Sequence, residues 1–87
     1  MDESYKVSDE MLEAIDGGRL TTKVDNISVY CPYHLRKHAG IKMMHEVIPI
    51  GTGSYRIYWC PDAGKYFFEA GNGWFDLRGD MLVKRRK

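Results

Sequence analysis

Residues 54–77 read SYRIYWCPDAGKYFFEAGNGWFDL, and their period of two decides the fold. Turn signals at Pro61-Asp62-Ala63-Gly64 and Gly71-Asn72-Gly73 break the run into strands predicted at about 54–60, 65–70 and 73–78. A four-residue loop at 61–64 pairs Trp59 with Tyr66, Ile57 with Phe68 and Tyr55 with Ala70. One face then carries Tyr55, Ile57, Trp59, Tyr66, Phe68, Ala70, Phe75 and Leu77, and this is the expected core face. The other carries Arg56, Tyr58, Lys65, Phe67, Glu69, Trp74, Asp76 and Arg78.

Working outward, the alternation extends back through a fourth strand at about 42–50, ended by Gly51-Thr52-Gly53. A one-residue change at that turn exchanges Val47 and Ile48 as the inward residue, so the sequence leaves the strand's facing open. Residues 20–30 mix Thr, Val and Ile with Asp25-Asn26, which reads as extended chain broken by a turn. Nearer the N-terminus, Ser8 before Asp9 and Glu10 is a helix start, and Gly17-Gly18 is the matching stop. Val7, Met11, Leu12 and Ile15 form one apolar stripe. At about ten residues such a helix is stable only when docked, and the core face is its natural cover.

The expected architecture is therefore α+β: a short N-terminal helix on a four-stranded antiparallel meander. With 87 residues, 44% of them hydrophobic, the chain has room for one core. It is read as one domain, with an acidic helical segment at 1–18, a β-rich body at 19–80 and a basic tail at 81–87. A domain this small is marginal in stability and gains noticeably from a metal or a partner. No apolar run reaches the ~20 residues that span a bilayer, and the start Met-Asp-Glu-Ser is the reverse of a basic signal sequence, so a cytoplasmic protein without membrane contact is expected.

Charge is unevenly distributed. Residues 1–18 carry six acidic residues against Lys6, a net −5, whereas residues 19–87 carry twelve basic against six acidic, a net +6. A basic body is compatible with an anionic partner. Tyr58, Phe67 and Trp74, set beside Arg56, Lys65 and Arg78, are a candidate surface on which bases stack while cations meet phosphates; Lys84, Arg85 and Arg86 add charge at the end. RNA or single-stranded DNA is the expected partner. The same aromatic and basic mixture also suits a protein-binding inhibitor or adaptor, of viral or mobile-element type. A third reading folds residues 31–45 over this side and buries its aromatics as a second small core.

Cys31-Pro32-Tyr33-His34 and Cys60-Pro61-Asp62-Ala63-Gly64 share a Cys-Pro start. They resemble the two Cys-Pro-x-Cys knuckles of zinc ribbons, in which a tight turn brings ligands three residues apart onto one tetrahedral ion. The resemblance covers residues 31–64 and implies a zinc-ribbon-like middle and a role in nucleic-acid handling. His34 stands at a ligand position, whereas Ala63 cannot bind metal. His38 offers a fourth ligand, sharing the face of His34 if residues 33–39 are helical; Asp62 and His45 are alternatives. Zn2+ at Cys31, His34, Cys60 and His38, a metal-free relic with two small buried thiols, and a disulfide are the open outcomes. No catalytic role is expected, since Cys31 and His34 lack an orienting third group and the glycine-rich segments join strands rather than opening a helix.

Overall fold

The computed structural model describes residues 5–16, 23–71 and 73–84. Helix α1 (Asp9–Asp16) precedes six strands, β1 (Val24–Cys31), β2 (Arg36–Ile50), β3 (Gly53–Cys60), β4 (Lys65–Ala70), β5 (Gly73–Phe75) and β6 (Met81–Lys84). The strands form one antiparallel meander in sequence order. The fold is thus mainly β, which corrects the α+β expectation of four strands.

Both additional strands have physical reasons. Asp25-Asn26, read as a turn, lies within β1, because each side chain finds a partner across the strand pair. Asp25 meets the His45 ring, and Asn26 accepts a 2.7 Å hydrogen bond from the Lys42 ammonium. Polar residues whose side chains are satisfied across a ladder no longer favour local turns. At the other end, residues 81–84 are β6 rather than tail, since Leu82 packs under the sheet and the strand pairs with β5. The strand expected at 73–78 stops at Phe75. There Asp76 accepts the Arg78 and Asp80 amides, both at 3.0 Å, and turns the chain. Gly17-Gly18, Arg85, Arg86 and Lys87 lie outside the described residues.

Strand β2 starts at Arg36 instead of residue 42, and its length organises the sheet. Its first part pairs with β1 and its second with β3, while Lys42 and Met43 pair with both. A register shift between Met43 and Val47, and Gly40 at φ 87°, bend it, as bulges and strand glycines do. The shift turns Ile48 and Ile50 inward and leaves Val47 exposed. Ala70 pairs with Gly73, which closes the β4–β5 hairpin.

Two apolar clusters result, one on each face. The first joins Val7 and Ile15 of the helical segment to Ile48, Ile50, Ile57, Phe68, Ala70, Phe75 and Leu77, with Met11 and Leu12 packed alongside. The helix docks by its expected stripe, and Ser8 Oγ accepts the Met11 amide at 3.3 Å as the expected cap. The second cluster joins Cys31, Ile41, Cys60 and Phe67, flanked by Tyr58, Trp74 and Leu82. It is a second small core, to which Cys31, Tyr33 and Ile41 contribute from residues 31–45. No helix among the described residues is long and apolar enough to cross a membrane.

Candidate metal centre

The β1–β2 and β3–β4 connections are the same turn built twice. In each, Cys-Pro opens the turn, and the amide four residues after the cysteine, Leu35 or Gly64, donates to the cysteine carbonyl at 2.7 Å. Both of those residues have positive φ, 57° at Leu35 and 65° at Gly64. Gly adopts this conformation freely, whereas Leu35 is held there against its Cβ. Pro32 and Pro61 restrict φ at the second position and remove an amide that the turn does not use. The antiparallel meander puts both turns at one end of the sheet, and this brings Cys31 and Cys60 together.

Cys31, His34, His38 and Cys60 form a cluster whose ligand atoms all lie within 4.8 Å of one another. Cys31 Sγ is 3.3 Å from His34 Nδ1; Cys60 Sγ is 3.7 Å from both His34 Nδ1 and His38 Nε2. The cysteines are unbridged and fully buried, and the histidines are partly buried. His38 reaches the cluster from an extended strand, not from a helical turn. It pairs with Val29 across the ladder, and alternation puts Val29 and Cys31 on one face. His45 is engaged with Asp25.

The environment suits metal ligation. A backbone carbonyl only accepts, so the 2.8 Å contact between His38 Nδ1 and the Ala39 carbonyl puts the proton on Nδ1 and leaves the Nε2 lone pair facing the sulfurs. Metal-bound histidines are held in just this way. Burial pushes the Cys31 thiol above its ordinary pKa, while hydrogen bonds from the Tyr33 and His34 amides act oppositely and favour the thiolate. A cation among these groups would supply the charge that burial withholds from the sulfur.

Of the residues expected at a nucleic-acid surface, the aromatics Tyr58, Phe67 and Trp74 share the second apolar cluster, and the basic residues lie outside it. Phe67 is fully buried, Tyr58 stacks on it at 5.2 Å between ring centroids, and Trp74 packs 4.5 Å from Tyr30. Arg56 is exposed and donates to the His45 carbonyl; Lys65 is exposed, its ammonium 5.6 Å from the centre of the Tyr33 ring. Arg78 is exposed in the β5–β6 turn and Lys84 is exposed at the end of β6. Meanwhile Trp59 and Tyr66, expected in the core, are only partly buried, and Trp59 belongs to neither cluster. The helix length held the signal: eight residues reach about 12 Å, too short to cover a face four strands wide. No protein-family model, curated protein or solved structure matches the chain.

Proposed function

We propose that this chain is a small, non-catalytic binding module, held in shape by one structural zinc ion and directed to single-stranded nucleic acid. The spacing of the ligand atoms carries the zinc reading. Zinc bonds of about 2.3 Å to sulfur and about 2.0–2.1 Å to nitrogen, in a tetrahedron, put neighbouring sulfur and nitrogen ligands about 3.5–3.6 Å apart. Three of the four sulfur–nitrogen separations, 3.3, 3.7 and 3.7 Å, bracket that edge. Two thiolates with two imidazoles favour zinc over calcium or magnesium, which take oxygen. Four protein ligands fill a tetrahedron and leave no position for substrate, which favours a structural over a catalytic ion. The nucleic-acid part is supported by the +6 charge of residues 19–87 and by their partly exposed aromatics.

An ion at this point fastens the β1–β2 hairpin to the end of β3. Apparent binding free energies on the order of 10 kcal/mol accompany such sites at neutral pH, enough to decide whether a marginal domain folds. Elemental analysis of the full chain, purified without chelator, should find one zinc per chain, and Co2+ substitution should give the spectrum of a tetrahedral ion with thiolate charge transfer. His38→Ala should weaken zinc binding by at least about 100-fold, while His45→Ala leaves it unchanged. Less than about 0.1 zinc per chain together with a thermal melt unaltered by chelator would overturn the zinc reading.

A further inference from the structure

Cross-strand pairing sets Asn26, Lys42, Trp59 and Tyr66 in one row across β1, β2, β3 and β4. Paired residues project to one side of a sheet, so the row is a continuous strip. The Trp59 and Tyr66 rings, 4.5 Å apart and inclined at 54°, form a ridge with a hollow on either side. The first hollow, about 440 Å³, includes Lys42 and Met44; the second, about 800 Å³, includes Lys65, Arg78 and Tyr33; Trp59 and Tyr66 line both. Lys42 thus borders one hollow, and Lys65 and Arg78 border the other, where the Lys65 ammonium lies over the Tyr33 ring. Asp76, which also lines the second hollow, is committed to two backbone amides.

We propose that this strip is the binding surface for single-stranded nucleic acid, with a base stacked on Trp59 and Tyr66 and the phosphates on either side met by Lys42, Lys65 and Arg78. The inference rests on the nucleic-acid reading above and names its site, which differs from the Tyr58, Phe67 and Trp74 face. Charge complementarity selects the ligand: three basic side chains border the two hollows, and the Lys42 ammonium keeps donors beyond the one given to Asn26. Stacking selects the unpaired form, because duplex bases do not offer their faces.

The test uses the full chain and a dye-labelled oligothymidylate of about 12 nucleotides, within the footprint that stacking sheets cover. Trp59→Ala should weaken binding about 5- to 100-fold. The slope of log affinity against log salt should be about −2 for three phosphate contacts, and Lys42→Ala or Arg78→Ala should each reduce it by about 0.7. Lys37→Ala, on the exposed part of β2, should leave binding unchanged. Trp74→Phe makes Trp59 the only tryptophan, and its fluorescence should be quenched as the oligonucleotide is added; this readout leaves the strip intact and decides the matter even where Trp59→Ala does not fold. Binding that persists without quenching, and is unaffected by Trp59→Ala and Lys42→Ala, overturns this surface while the nucleic-acid reading stands. Equal competition by duplex DNA overturns the single-strand assignment, and absence of any oligonucleotide binding overturns both.

Discussion

Tyr33 ties the first cysteine turn to strand β4 through one hydroxyl. Its phenol donates to the Tyr66 carbonyl at 2.6 Å, and its ring meets Phe67 edge-on at 6.0 Å. Burial, with lesser contributions from Asp76, Cys31 and Cys60, pushes its pKa from the ordinary 10 up to about 12. The fold therefore prefers the neutral phenol. Its contribution is complete below pH 10, where the unfolded chain still holds its proton, and is lost as pH rises from 10 through 12. Urea unfolding of the full chain should show stability falling over that window. Tyr33→Phe should remove part of the fall, leaving that of Tyr58, whose pKa burial also raises. At neutral pH the same substitution should cost about 1 kcal/mol for the lost hydrogen bond. An unchanged alkaline slope in Tyr33→Phe would assign the titration to another group.

Among the elements, the two Cys-Pro turns are alike in backbone and unlike in chemistry. Ala63 stands in the second turn where His34 stands in the first, and the fourth candidate ligand of the cluster, His38, stands on β2. If the turns are equivalent as ligand carriers, adding Ala63→Cys to His38→Ala should recover zinc binding to within about 10-fold of the original chain, with a third thiolate seen in the Co2+ spectrum. Failure to recover the ion would mean that the turn places residue 63 away from the metal despite its similar backbone. Helix α1 illustrates a different dependence. Eight residues with one buried stripe hold their shape by docking, so its stability belongs to the sheet beneath it.

For the whole molecule, the second cluster matters most. Phe67 is fully enclosed, touching Tyr33 and Tyr58 and sharing its cluster with Cys31 and Cys60. Phe67→Ala should destabilise by about 3–5 kcal/mol, a large share of what a domain this size possesses, and a urea midpoint shift equivalent to less than about 1 kcal/mol would show the site is not core. Periodicity, turn chemistry and ligand type in the sequence alone carried the alternating strands, three of the sheet's tight turns and the N-capped amphipathic helix, and offered Cys31, His34 and Cys60 as candidate ligands with the fourth left open among His38, Asp62 and His45. The tertiary structure decided the rest. Asp25-Asn26 became strand only because Lys42 and His45 meet it across the ladder, and His38 reached the sulfurs only because β2 is extended. Phe67 was enclosed, and Trp59 left partly open, by how far β1, the start of β2 and a 12 Å helix extend over the two faces. A period of two says that neighbours face opposite ways; which way is covered depends on what packs there, and that is set by residues distant in the chain.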